Sequence, residues 1–479
     1  MLEVSPENLQ ISDSGEGTLT ITSNTKWEVS TTADWLTFST MSGMGNGQVT
    51  IRASGYSMSD RMAILTIKGE GISRQTLVTQ KGVVIEKDGI LHVNVFKAGV
   101  FPDLIEGRKT STTRMKLSGK INGTDVVSLQ DMMTTSKGGK LSYLDMSDAF
   151  IVEGGEPYKV YSSKSRNLAG REDLTTQNNI ISESMFEDCD VIQELILPNS
   201  VVKISHYMFG YTFSSNIHTI TIGQSTIGGV DHDDLDVRES LGALQWMDKL
   251  EDIKVHPDNQ KYCAENGVLY NKDKTVLYVI PQKFQRTLLL PGSLITIGQA
   301  AFLHYNASSI KLPSSVRKLK SNAFWGSSIE SIDVSNVDEM EEGVFYYCDK
   351  LQTVNLSKSL TIIPNATFTG CSALESIIIP NSVTELGDYS FSDCIILPSI
   401  RIPQSVRTIG KGVFLRCYNL NEIYMDSPTP PTFSSEIRNS YDIFGSNYKS
   451  ISIYVPKGSK ERYTSTFPWS ELNIVEIAY

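Results

Sequence analysis

Residues 374 to 394 read Leu374-Glu-Ser-Ile377-Ile-Ile379-Pro380-Asn-Ser-Val383-Thr-Glu-Leu386-Gly-Asp-Tyr-Ser-Phe391-Ser-Asp-Cys394. Ile377 and Ile379 alternate with period two and face one side of a strand, which Pro380 ends because it cannot donate to a ladder. Val383 and Leu386 form the next inward pair. Phe391 and Cys394, three apart, share one face of a short helical turn that closes the ring over the core. The unit returns at a fixed interval: Phe345, Phe368, Phe391 and Phe414 lie 23 residues apart, as do Cys348, Cys371, Cys394 and Cys417. Upstream copies include Leu195 to Val201 with Phe209, Leu288 to Ile297 with Phe302, and Ile310 to Leu319 with Phe324. One unit cannot bury its apolar face alone, so the units stack into a solenoid with one elongated core.

Ahead of the repeats, short alternating strands are predicted at Thr18–Thr22, Trp27–Ser30, Gln48–Ala53, Ala63–Lys68 and Gln75–Thr79. Strands at this spacing with no helical period form a small antiparallel β-sandwich. Trp27, Trp35 and Leu36 are placed to fill its centre, and the Gly-rich run Ser42–Gly47 leads into a strand, so it is a flexible hairpin connection and not a phosphate loop. Between sandwich and repeats, Thr124 or Asp125 is expected to cap a short helix through Met133. The fold class is therefore mainly β: an N-terminal Ig-like β-sandwich followed by a solenoid with short helical turns.

Two resemblances sharpen this. The order Trp27-Glu-Val-Ser30, Asp34-Trp-Leu36, Ser42-Gly43, Val49-Thr-Ile51, Asp60-Arg61 with Ile64-Leu-Thr-Ile67, then Val78-Thr-Gln-Lys-Gly82, resembles the BACON domain of Bacteroidetes secreted proteins. That resemblance implies an Ig-like module with a proposed carbohydrate- or mucin-binding role. The repeat itself, with Pro-Asn-Ser-Val, Ile409-Gly410 and Ala301-Phe302 signatures, resembles the BspA-like leucine-rich repeat family over most of residues 180 to 479. Pro428 to Phe433, Ile453-Tyr-Val-Pro456 and Trp469 resemble the family's C-terminal cap. The expected domains are a BACON-like sandwich at 1–82, irregular N-terminal turns at 83–180, repeats at 181–426 and a cap at 427–479. The resemblance implies an exported protein of the cell envelope, outer surface or extracellular space, with its signal peptide absent from this chain. Any membrane attachment would run through a lipid anchor that this chain also lacks.

Composition sets the outer bounds. The 479 residues carry 43 Lys plus Arg against 54 Asp plus Glu, a net charge of −11, so nucleic acid is not an expected partner. No stretch reaches the roughly 18 apolar residues of a membrane span. Six cysteines include no CxxC pair, and stacked repeats place equivalent cysteines side by side with parallel side chains, so free buried thiols are expected. No HExxH, Gly-x-Ser-x-Gly or Walker sequence occurs, so catalysis, cofactors and a metal are not expected. Asp231-His-Asp-Asp234 supplies hard oxygen donors without the spacing of a calcium loop and reads as a solvated acidic turn.

Function is sought on the outward positions of the repeat strands. One row runs Thr287, Ser309, Ser331, Thr353, Ser376 and Ser399, and the adjacent one holds Lys311, Asp333, Asn355, Arg401 and Tyr424. Hydroxyl rows can simply solvate and pair across a polar sheet, or they can form a flat hydrogen-bonding platform for an extended partner. With Tyr424 the lone aromatic of these rows, a protein of a host or bacterial surface is the favoured partner. A glycan bound by the sandwich, with Tyr56 as its contact, is the alternative. Two repeats are enlarged: the strand centres Ile220, Ile253 and Leu288 are 33 and 35 residues apart, and the second insertion is expected to form a hairpin through Gly267–Ile280. The protein is expected to be a monomer.

Overall fold

The computed structural model describes residues 1–11, 16–55, 57–160, 173–205, 207–210, 216–228, 244–434 and 439–478. They form two compact units, Met1–Val201 and Val202–Tyr479. The chain is mainly β, as its alternating apolar runs require.

The first unit opens with nine strands: β1 (Leu2–Ser5), β2 (Asn8–Ile11), β3 (Glu16–Ser23), β4 (Lys26–Ser30), β5 (Leu36–Phe38), β6 (Ser42–Met44), β7 (Gly47–Ala53), β8 (Arg61–Gly69) and β9 (Ile72–Gln80). They build two sheets, β1-β3-β7-β5 and β2-β9-β8-β4-β6. Leu19, Ile21, Val49, Ile51, Leu65, Ile67 and Val78 alternate inward from both sheets and are fully buried. Trp27 is buried among them, and its indole N–H donates to the Gly45 carbonyl at 2.8 Å. A Cβ at Gly43 would lie 2.2 Å from that ring, so the Ser42–Gly47 run is the close-fitting lid of Trp27 and not a loose connection. Trp35 departs from expectation: it is half-buried at the rim, with the Arg61 guanidinium 4.2 Å above its ring.

The remainder of this unit begins the stacking. Val84–Lys87 and Ile90–Val95 form a hairpin, after which Arg114–Ile121, Tyr143–Ile151 and Glu194–Ile196 add in parallel. A helix, Gly123–Met132, crosses between Arg114–Ile121 and Tyr143–Ile151. Its cap is Asn122, two places ahead of Thr124 and three ahead of Asp125, the expected residues. Asn122 Oδ1 accepts from the Thr124 N–H, and Asp125 reaches back to the Asn122 N–H as the partner in a capping box. Asp125 also accepts from the N–H groups of Gly99 and Phe101, which explains how a carboxylate can be wholly buried there.

The second unit winds three columns around one core. One column is the row Ser331–Val334 with Thr353–Leu356, then Ser399–Ile402, Glu422–Met425, Ser452–Pro456 and Asn473–Ile477, all parallel. A second holds two-residue strands such as Thr296–Ile297, Lys318–Leu319, Glu385–Leu386 and Thr408–Ile409. The enlarged second repeat carries the expected hairpin, Val268–Asn271 with Val276–Val279, and a further antiparallel strand, Tyr262–Glu265.

The third column contains the Phe and Cys positions. Phe302, Phe324, Phe345, Phe368, Phe391, Phe414 and Phe444 are buried and stack with centroids 4.7 to 6.0 Å apart and planes within 21°. Each ladder cysteine lies under the preceding repeat: Cys348, Cys371, Cys394 and Cys417 donate their thiols to the carbonyls of Phe324, Phe345, Phe368 and Phe391 at 3.0 to 3.4 Å. Cysteine suits the slot because it is small, apolar and a weak donor. All six cysteines are free, with Cys263 alone half-exposed.

These turns are a run of tight three-residue turns with left-handed residues between them, and not a regular helix. Ala300, Asn322, Gly343, Ala366, Tyr389 and Gly412 form one left-handed row, and His304, Gly326, Tyr347, Gly370, Asp393 and Arg416 another, with φ between 47° and 76°. The reversals aim alternate amides at the next repeat: the N–H groups of Ala366, Phe368 and Gly370 donate to Asp388, Ser390 and Ser392 at 2.8 to 2.9 Å. Glycine enters the rows where a side chain of the preceding repeat lies against it: a ring at Gly326, Gly370 and Gly412 and the Asn322 amide at Gly343, and a Cβ at Gly412 would sit 2.4 Å from the Tyr389 ring.

Gly412→Ala is accordingly expected to combine left-handed strain of about 1 kcal/mol with a steric penalty of about 1–3 kcal/mol. Placing it in a Tyr389→Ala background should remove the second part, giving a coupling above about 1 kcal/mol in a double-mutant cycle read by urea unfolding. Equal penalties in the two backgrounds would show that the ring contact plays no part.

Candidate functional site

The outward rows of the repeat strands meet in a groove of about 1400 Å³ that spans five repeats, from Leu288–Leu290 to Ile378–Ser382. Six of the eleven candidate residues line it: Ser309, Lys311, Ser331, Asp333, Thr353 and Asn355. Thr287 and Ser376 are exposed beyond its walls, and Ser399, Arg401 and Tyr424 lie on the following sheet. Tyr56, the candidate on the sandwich, falls outside the described residues, as do Asp231 to Asp234.

The groove coincides with a break in the strand column. Ser331–Val334 pairs with Thr353–Leu356, but Leu288–Leu290, Leu312 and Ile377–Ile379 carry no ladder assignment, although Ile377 and Ile379 do point inward as their alternation requires. Ile378 stands between them 85% exposed, and Leu289 is 70% exposed. These two side chains give the groove an apolar rim that sequence reasoning left out of the site. The available signal was the run Ile377-Ile-Ile379, whose middle residue violates the alternation of a one-sided strand.

The polar floor is partly satisfied and partly open. Asp333 Oδ1 accepts from the Ser335 N–H and from Asn355 Nδ2, each at 3.0 Å. Ser335, through its hydroxyl and its N–H, together with Asn355 holds the Asp333 carboxyl below its ordinary pKa, so it is a fixed anion that is already hydrogen-bonded. Lys311 and Lys358, by contrast, meet no carboxylate among the described residues. The groove thus combines two unpaired ammonium groups, a hydroxyl row and two exposed aliphatic side chains.

The sheet beyond it ends in a stack. Tyr424 and Tyr454 lie 4.8 Å apart at 15°, the Arg401 guanidinium sits 5.4 Å from the Tyr424 ring, and both phenols donate to Glu422. The Glu422 hydrogen bond, then burial, raises the Tyr424 pKa. Tyr424 is therefore held between neighbours and not presented alone, and Tyr454 escaped notice because it follows by 30 residues where the repeat predicts 23.

Comparison with known proteins bears on the repeat. The family described as BspA type Leucine rich repeat region matches in six copies, over residues 167–231, 282–394 and 338–473. This chain belongs to the BspA-type leucine-rich repeat family. The N-terminal residues 1–83 of this BspA-type protein match the Viral BACON domain. A leucine-rich repeat region of this type joined to a BACON domain suggests a surface protein for binding. No curated protein matches the chain.

Solved structures similar to this BspA-type chain include a leucine-rich repeat protein from Eubacterium ventriosum, 17% identical, with a TM-score of 0.46 over 79% of this chain and 96% of the other. A leucine-rich repeat protein from Bacteroides ovatus is 18% identical, with a TM-score of 0.46 over 83% and 88% of the two chains. The pneumococcal vaccine antigen PcpA is 16% identical, with a TM-score of 0.44 over 84% and 86%. Among the described residues no helix is long and apolar enough to cross a membrane.

Proposed function

We propose that this BspA-type protein is a non-catalytic adhesion protein of the cell envelope or extracellular space, and that its groove engages an extended segment of a host or bacterial surface protein. The observation that carries the reading is the groove itself. It crosses four repeat spacings of roughly 4.8 Å, close to the span of six extended residues at roughly 3.3 Å each. Hydroxyl and amide side chains on its floor can meet a peptide backbone, and Leu289 and Ile378 can seat apolar side chains at its rim. Lys311 and Lys358 favour a segment that carries carboxylates, because the groove holds no anion to neutralise them except the already bonded Asp333. The alternative, a glycan held by the sandwich, would rest on Tyr56; Trp27 is buried and Arg61 covers Trp35.

The test is adhesion of host cells and matrix proteins to immobilised full-length chain, compared with a Leu289→Asp, Ile378→Asp double variant. Retention should fall at least tenfold and thermal unfolding should hardly move, since both side chains point into solvent. Lys311→Glu should weaken capture most at low salt, where screening is least. Undiminished adhesion by the double variant would remove the groove from the function.

A further inference from the structure

The turn column bears a second, smaller cleft on a different set of residues. It has a volume of about 320 Å³ and is lined by Asn322, Trp325, Glu342, Gly343, Tyr346 and Ala366. Its origin lies in the left-handed row of the turns. Asn322, Gly343 and Ala366 occupy equivalent places in three successive repeats, and the next place holds Tyr389. At Gly343 a Cβ would fall 2.3 Å from Asn322 Oδ1, so a side chain there would displace the Asn322 amide, and Ala366 after it is also small. Two small residues in succession leave a hollow where a longer side chain would otherwise lie.

The walls of the hollow are aromatic. Trp325 and Tyr346, both half-buried, meet edge to face at 5.8 Å and 71°, and Trp246 also meets Trp325 edge to face at 5.6 Å and 87°. The polar groups opposite are open: the Asn322 side-chain amide and the Glu342 carboxylate meet no hydrogen-bond or ion-pair partner among the described residues. The repeat does not need these polar groups for its own packing, because Phe324 and Phe345 of the same turns make the core. An aromatic corner with an unpaired carboxylate and an unpaired amide, in a hollow at the lower end of the size range of small-molecule sites, has the composition of a recognition site.

We propose that this cleft is a saccharide subsite, taking a single pyranose ring. A pyranose has an apolar C–H face and a rim of hydroxyls, each both donor and acceptor. The C–H face matches Trp325 and Tyr346, Glu342 accepts from two adjacent hydroxyls, and Asn322 both donates to and accepts from the rim. A quaternary ammonium would also be drawn to aromatic rings and a carboxylate, but it cannot use the amide donors of Asn322. The site is independent of the groove: the two share no lining residue.

The experiment labels the full chain with 5-fluorotryptophan and assigns the signal of Trp325 among the five tryptophans by a Trp325→Phe variant. The probes are the methyl glycosides of glucose, galactose, mannose and N-acetylglucosamine, with choline chloride alongside. The expected result is a saturable shift of the Trp325 signal with at least one glycoside at millimolar concentration, the Trp27 and Trp469 signals staying still. Glu342→Gln and Asn322→Ala should each weaken that titration at least fivefold; alanine is tolerated at the latter place, since Ala300 and Ala366 hold equivalent positions. A Trp325 signal that moves with no glycoside, that moves with choline alone, or that titrates unchanged in both polar variants would overturn the proposal.

Discussion

Phe368→Ala is expected to lower the stability of the repeat array by about 3–5 kcal/mol, the range for emptying a fully buried phenylalanine site. Phe368 is fully buried and stacks on both sides, 5.5 Å from Phe345 and 5.3 Å from Phe391. Truncation therefore removes two aromatic contacts, each contributing about 0.5–1.5 kcal/mol beyond its buried area. The site cannot collapse readily, because its own backbone is pinned: the Phe368 N–H donates to Ser390 at 2.8 Å and its carbonyl accepts the Cys394 thiol at 3.4 Å. Phe444 supplies the comparison, having Phe414 as its one stacked neighbour among the described residues. Phe444→Ala should weaken the array less. In a stacked array stability is a sum of nearest-neighbour terms, so hydrogen exchange should report the Phe368→Ala loss first at the amides of the two adjoining repeats. A loss below about 1 kcal/mol in urea unfolding would mean that the ring column is not what joins the repeats.

The periodic features of the fold were legible because they depend on side chains that recur at one spacing. Phe391 and Cys394 identify their column through copies 23 residues away, and Ile377 and Ile379 identify an inward face through period two. What was illegible depends on contacts between one repeat and the next at places where the spacing slips. Tyr454 reaches Tyr424 from an enlarged last repeat, and the glycines at 343 and 412 make sense only against the Asn322 and Tyr389 of the turn below. Position along the strand likewise does not reveal whether the ladder closes. Ile377–Ile379 has the pattern of a strand and lies where the ladder is open, and the groove forms at that opening, beside the outward rows of the repeat strands. In the sandwich, Trp27 and Trp35 have the same residue type and similar surroundings in sequence, and Arg61, distant in the chain, separates their fates by capping the second.

The second large effect is expected on the alkaline side. Burial pushes the Cys348 thiol up to about 12, against a smaller opposing pull from Ser327, and burial raises Cys371 and Cys394 well above the ordinary thiol value as well. In the unfolded chain these thiols release their protons near pH 8.5–9. The folded state thus keeps protons that the unfolded state has lost, so the contribution is whole below about pH 8.5 and shrinks as pH rises. Each thiol is expected to remove about 1.4 kcal/mol per pH unit, or about 4 kcal/mol per unit for the three together, from pH 9 up to the folded values. Tyr270, raised by burial, and Lys318, raised by its hydrogen bond to Glu339, act in the same direction only above pH 10. The window between pH 9 and 10 therefore belongs to the thiols. Urea unfolding across it should show a steep fall for the natural chain and a slope shallower by about 4 kcal/mol per unit for a variant with alanine at positions 348, 371 and 394, in which Cys189 and Cys263, also raised by burial, keep a residual fall. That variant should start lower at pH 7, since each replacement removes a buried sulfur and the donor to a phenylalanine carbonyl. Parallel slopes in the two proteins would show that the cysteine ladder opens to solvent in the native state and does not hold its protons.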